Sequence, residues 1–353
     1  MSDYLEKKVS ITLSYEAQAT IESDMSLFLP GGKFATFVNI IIANYKDAST
    51  ASIRLAAKRE QERLESMLTN GHAPLTKTEK QVIDRLTLAY TQSLREQMHT
   101  YRSDSGTTKK IRINNQNFED LGIGSQSEYY AEEDYRNVGT YIKTLLEDYA
   151  RQDFSRREEI FFLDIIEALQ VAIREQKLVR IGYTDRNNQV SSLLFRPYGI
   201  LTNRMNVYHY FVGILKDPEA GSDKLYSLRI SRIRSVKCLQ QSGHIPLPIQ
   251  EGIKKQIREK NVQYIQGDQE LYRIELTERG QKMYNSILYL RPAYTAKALS
   301  SGGRAVYDFD CTREQIQNYF FRFGKDALIL SPDSLREEFA AAYRRASSAY
   351  KTP

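Results

Sequence analysis

The chain has 353 residues, of which 41% are hydrophobic and 27% charged, with a formal net charge of +6. That length allows two or three domains with packed cores. The longest apolar run, Val38 to Ala43 broken by Asn39, is far short of the ~20 residues that span a bilayer. Two cysteines, Cys238 and Cys311, make neither a disulfide framework nor a zinc spacing, and the polar start Met1-Ser2-Asp3-Tyr4 has no signal-peptide character. A cytoplasmic protein with no membrane partner is expected.

From Lys7 to Leu13 the residues alternate, with Val9, Ile11 and Leu13 to one side and Lys8, Ser10 and Thr12 to the other, which predicts a strand. Ser14 suits the N-cap of a helix entering Tyr15-Glu16-Ala17, with Ala17, Ile21, Met25 and Phe28 at helical spacing. Pro30-Gly31-Gly32 stops that helix, and a second starts near Lys33 with Phe34, Phe37, Val38, Ile41 and Ile42 on its buried face. Over residues 1–50 this order resembles the ribbon-helix-helix fold. One strand and two helices cannot bury both faces alone, so two copies are expected to pair, their strands forming a ribbon. The resemblance implies that the ribbon enters the DNA major groove and that Lys8, Ser10 and Thr12 read bases. Those side chains are short and weakly basic for the task. A nucleic-acid contact and a plain dimerisation module both stand.

Residues 51–155 form a helical linker region. Ser52 to Leu68 is helical and charged, Asn70-Gly71-His72-Ala73-Pro74 ends it, and Thr76-x-x-Glu79 is a capping box for a helix reaching about Tyr101. Residues 103–128, rich in Ser, Gly, Asn and Gln, are a linker with local strand near Ile111 to Ile113. Helices near 134–150 and 156–176 follow, and their charged faces are expected to be solvated.

Residues 156–245 hold the basic excess. Between 171 and 240 there are twelve Lys and Arg against five Asp and Glu, a surplus larger than that of the whole chain. Short β-branched or aromatic runs lie there, bounded by Asn, Asp, Gly or Pro: Val179-Arg180-Ile181-Gly182-Tyr183, Phe195-Arg196-Pro197-Tyr198-Gly199-Ile200, Tyr208-His209-Tyr210-Phe211-Val212-Gly213 and Leu228-Arg229-Ile230-Ser231-Arg232-Ile233. They predict a small, curved antiparallel barrel. Cations interleaved with tyrosines suit an anionic, base-bearing ligand. The segment resembles the WYL domain, an Sm-like β-barrel. The family's naming triplet falls on His209-Tyr210-Phe211, its Pro-x-Gly turn on Pro197-Tyr198-Gly199, and its closing strand motif on Leu228 to Ile233 with both arginines kept. The resemblance implies a site for nucleic acid or a nucleotide-like effector lined by Tyr183, His209, Tyr210, Arg229 and Arg232. Arg196, which precedes Pro197 on an extended segment, is a further binding candidate and equally a rim charge. Arg180, Arg204 and Arg234 would widen the basic surface. Three residues apart on a regular strand, Arg229 and Arg232 would face opposite ways. Either a bulge re-aims one of them, or one pairs structurally with a carboxylate.

In residues 246–353 a basic helix from Gln250 to Glu259 leads to a βαββαβ order with a closing helix, which is ferredoxin-like. It resembles the C-terminal extension that follows WYL domains and helps them dimerise. Asp308 and Asp310 share a strand face, and a solvated strand end accounts for them better than a carboxylate pair.

The fold class is therefore α+β and multidomain. The sequence carries no P-loop, Rossmann fingerprint, nucleophile elbow or paired metal-binding histidines, so no catalysis, metal or cofactor is expected. As a whole, the architecture resembles the WYL accessory proteins of type VI-D CRISPR systems. That implies single-stranded RNA binding, a homodimer, and positive modulation of an RNA-guided, RNA-cleaving effector nuclease, by function or by direct contact. The competing reading is a ligand-responsive transcriptional regulator, with the ribbon on DNA and the barrel sensing a nucleotide. A dimeric scaffold without nucleic-acid affinity is a third.

Overall fold

The computed structural model describes residues 8–69, 74–103, 106–122, 127, 129, 134–135, 137–184, 189–203, 207–216, 224–265 and 269–350. Lys7, the expected turn at Asn70 to Ala73, Arg204 and parts of the expected 103–128 linker lie outside the described residues. Contacts divide the chain into two units, residues 1–164 and 165–353.

In the first unit, β1 (Lys8–Thr12) leads into α1 (Tyr15–Phe28) and α2 (Phe34–Tyr45). The α1 cap forms as expected, with the Ser14 hydroxyl accepting from the Ala17 N–H at 3.1 Å. Then come α3 (Ile53–Thr69) and α4 (Lys77–Ser103), which pack together. The capping box closes in both directions: Glu79 Oε2 accepts from the Thr76 N–H at 2.7 Å, and Thr76 Oγ1 from the Glu79 N–H at 3.3 Å. After β2 (Thr108–Arg112) come α5 (Asn115–Asp120), α6 (Val138–Arg151) and α7 (Phe154–Phe161).

The partner of β1 differs from expectation. It is β2 of the same chain, antiparallel, with Lys8 opposite Arg112, Ser10 opposite Lys110 and Thr12 opposite Thr108. The cap Ser14 of α1 has its counterpart in the cap Asn114 of α5. The β-α-α order of residues 8–45 thus recurs in β2, α5 and α6, and α6 packs on α1, α2 and β1. No second copy is needed to complete this ribbon. Residues read as a helical linker supply its other half.

The core of this unit holds Ile11, Ile21, Phe37, Ile41, Ile111, Leu145 and Tyr149, all buried. It also holds charge. Asp148 accepts from Tyr45 Oη at 2.9 Å, Ser49 Oγ at 2.6 Å, and the Thr50 N–H at 3.1 Å and Oγ1 at 2.9 Å. Glu147 accepts from the Ser14 N–H at 2.6 Å and its hydroxyl at 2.8 Å, and Asp24 from Tyr149 Oη at 2.8 Å and Arg157 Nε at 2.7 Å. Burial, and secondarily the neighbouring carboxylates, hold the Tyr45 and Tyr149 phenols well above their ordinary pKa. The charged face of α6 is therefore partly core, in contrast to the expected solvated face, because each carboxylate meets several donors.

In the second unit, after α8 (Leu163–Arg174), come β3 (Lys177–Thr184), β4 (Val190–Thr202), β5 (His209–Leu215), β6 (Lys224–Arg229) and β7 (Ile233–Ser242). The single helix expected at 156–176 is split into α7 and α8 around Phe162. The sheet order is β6-β5-β4-β3-β7, antiparallel throughout. The expected barrel is represented by this five-stranded sheet, and among the described residues no ladder joins β6 to β7 to close it. After α9 (Leu247–Lys260), the chain forms β8 (Gln269–Leu276), α10 (Glu278–Ser286), β9 (Ala296–Leu299), β10 (Ala305–Thr312), α11 (Arg313–Phe320), β11 (Ala327–Ser331) and α12 (Asp333–Ala349). Here the order is β11-β8-β10-β9, with a core built on Tyr272, Ile274, Tyr307, Phe309 and Phe320. Asp308 is engaged by Arg273, Nε to Oδ1 at 2.8 Å, and that hydrogen bond lowers its pKa.

Candidate nucleic-acid interface

Register assigns the expected site residues to faces, because directly opposed residues share a face and alternate residues do not. Tyr210 lies opposite Leu201 on β4 and Arg229 on β6. Two and four residues on, Val212 and Ile214 of the same face pack with Ile245, Ile253, Val262 and Ile265, and Tyr210 rests against that cluster. Arg196 lies opposite Ile214, on the same face but toward the other end of β5. The expected Arg229, Tyr210 and Arg196 therefore share one side of the sheet.

At one end of this side, beside the edge strand β6, is a contact that sequence reasoning missed. The Arg229 guanidinium carbon lies 3.5 Å from the Tyr208 ring centroid, a close cation–π stack. Tyr208 sits just before β5, where Asn203 anchors it. The Asn203 N–H donates to the Tyr208 carbonyl at 3.2 Å, and Asn203 Oδ1 accepts from the Val207 N–H at 2.9 Å. Asn203 itself is buried. The signal was present in Tyr208-His209-Tyr210-Phe211, where alternation puts the two tyrosines on one face. Tyr208, Tyr210 and Arg229 thus make a half-buried aromatic and cationic surface.

Tyr183 and His209 are not brought to that surface. His209 alternates with Tyr210 and is buried at 6% exposure, on the face of Phe211. Tyr183 shares its face with Val179 and Ile181, which β4 places with Phe195, and the Phe195 and Phe211 rings meet edge-on at 5.4 Å. Both belong to the opposite side of the sheet, with Phe195 and Phe211. The alternative left open for Arg229 and Arg232 resolves into a turn. Residues Ile230–Arg232 form one turn of 3-10 helix between β6 and β7, so Arg232 leaves the strand altogether. Arg180 and Arg234 are exposed, and Arg234 Nε donates to Thr184 Oγ1 at 3.2 Å.

The ribbon of the first unit forms a second polar surface. Lys8 and Ser10 are exposed and Thr12 half-buried, and opposite them stand Arg112, Lys110 and Thr108, all exposed. This face is more basic than β1 alone indicated, because β2 adds two cations. Lys109 turns the other way, to Glu22 at 2.9 Å and over the Phe34 ring at 4.3 Å, and its hydrogen bond lowers the Glu22 pKa.

Residues 164–238 match the WYL domain family, and the chain carries this domain. Over nearly its whole length the chain is also similar to a solved structure described as a CRISPR Cas-related protein. The two are 22% identical, with 98% of this chain and 94% of that one covered and a TM-score of 0.76, which establishes a shared fold. Proteasome accessory factor B/C of Arthrobacter aurescens is 16% identical over 66% of this chain and 35% of that one, at a TM-score of 0.29 too low to bear on the fold. No curated protein sequence matches the chain. Among the described residues no helix is long and apolar enough to cross a membrane.

Proposed function

We propose that the chain is a non-catalytic, cytoplasmic accessory protein of a CRISPR system. It binds single-stranded RNA on the Tyr208–Tyr210–Arg229 side of its WYL domain, as a homodimer, and positively modulates an RNA-guided, RNA-cleaving effector of the type VI-D class. The Arg229–Tyr208 stack carries this reading. Stacking platforms accept unstacked bases at ~1–3 kcal/mol each, whatever the base, while an adjacent guanidinium meets the phosphate. The full-length likeness to a CRISPR Cas-related protein supports the cellular setting.

Fluorescence anisotropy with a labelled single-stranded RNA and a random DNA duplex, across a salt series, tests the reading. Wild type is expected to prefer the single strand, and Arg229→Ala to lose that preference. Equal affinity for both ligands, unchanged by the substitution, would refute it.

One observation favours a second reading, a transcriptional regulator that grips duplex DNA with its ribbon and senses a nucleotide with its WYL domain. The ribbon face carries Lys8, Lys110 and Arg112 with no carboxylate among its outward residues, and a two-stranded ribbon fits a major groove. Duplex binding lost in Lys110→Ala/Arg112→Ala and kept in Arg229→Ala would select it.

A further inference from the structure

The C-terminal sheet ends on β11, whose outer edge pairs with no strand among the described residues. An edge strand turns alternate N–H and C=O groups outward, a row that another extended segment can complete. One face of α12 runs beside this edge. Arg336, Phe339, Ala340 and Tyr343 stand at i, i+3, i+4 and i+7, and with Ala327, Leu328 and Ile329 they enclose a groove of about 450 Å³.

The groove walls are apolar. Phe339 is buried, and Tyr343 is fixed by its hydroxyl, which donates to the Phe321 carbonyl at 2.8 Å, and by its ring, which stacks on Phe321 at 4.8 Å. Ala340 is exposed and small, which keeps the groove open between helix and strand. The charged residues at its rim are all cations: Arg304, Lys325 and Arg336, with no carboxylate among the lining residues. Glu275 orients Arg304 at 2.8 Å and Asp333 orients Arg336 at 2.9 Å, while Lys325 has no ion pair among the described residues.

We propose that this groove binds an acidic, extended peptide segment of a partner protein, which joins the sheet as a strand beside β11. The strand edge offers alternating donors and acceptors, which a peptide backbone matches and a nucleic-acid backbone does not. Cations on the rim select acidic side chains, and the apolar walls select apolar residues between them. The inference is independent of RNA binding by the WYL domain.

The test uses the full-length protein and two fluorescein-labelled hexapeptides, one alternating Glu and Val and one alternating Lys and Val. The acidic peptide is expected to bind about tenfold or more tightly than the basic one. Ala340→Leu, which fills the groove from an exposed position, and Lys325→Glu should each weaken it by a similar factor and leave single-stranded RNA binding unchanged. Equal affinity for the two peptides, or acidic-peptide binding unaffected by Ala340→Leu, would overturn the proposal. Displacement of the acidic peptide by oligouridylate at wild type and not at Ala340→Leu would also overturn it, because it would assign the groove to nucleic acid.

Discussion

Arg229 is held against Tyr208 at 3.5 Å, and that geometry separates its role from simple charge. A lysine at the same position keeps the charge and loses the planar stack. Arg229→Ala and Tyr208→Ala are each expected to weaken single-stranded RNA binding about tenfold or more, and Arg229→Lys to recover only part of it, as read by anisotropy. Recovery of full affinity by lysine would mean that the site reads phosphate charge alone. The two cysteines make a second contrast at this scale. Burial, with a smaller contribution from Asp310, pushes the Cys311 thiol up to about 12, whereas Cys238 is exposed. Native protein titrated with Ellman's reagent near neutral pH is therefore expected to release one thiol per chain, and denatured protein two. Some of the site was legible from single residues. Arg229 and Tyr210 follow from the WYL motifs, and Arg196 from its place before Pro197. The assignment of His209 and Tyr183 to the far face needs the strand register, which is set by partners on other strands.

Among the elements, local signals were sound and distant ones silent. The Ser14 cap and the Thr76–Glu79 box depend on neighbours three residues away, and both form. The pairing of β1 with β2 joins strands that lie far apart in the chain, and nothing local in Lys8–Thr12 could indicate it. The same holds for Asp148, whose donors Tyr45, Ser49 and Thr50 approach from the end of α2 and the turn beyond it. Removing a carboxylate that satisfies several buried donors leaves those donors orphaned. Asp148→Ala is expected to cost about 3–5 kcal/mol of stability by chemical denaturation. A loss within about 1 kcal/mol would show that water replaces the carboxylate there. The curved sheet itself was legible as short bounded runs. The 3-10 turn at Ile230–Arg232 was not, because it lies inside what reads as a continuous strand.

For the whole molecule, the intrachain ribbon separates two matters that the sequence joined. The first unit completes its strand pair within one chain, so a homodimer would rest on other surfaces. Sedimentation at micromolar concentration is expected to give a dimer, and a monomer would remove that part of the proposal. RNA binding by a face with two or three arginines should release few counterions. The expected slope of log K against log salt is about −1.5 to −2 for single strands. A much steeper slope would mean that the ribbon cations also hold the ligand.

Photocrosslinking with 4-thiouridine-labelled single-stranded RNA, mapped by mass spectrometry, tests the central claim most directly. Crosslinks are expected at Tyr208 and Tyr210, and they should disappear in Arg229→Ala. Crosslinks confined to residues 8–12 and 108–112 would place the RNA on the ribbon and contradict the account.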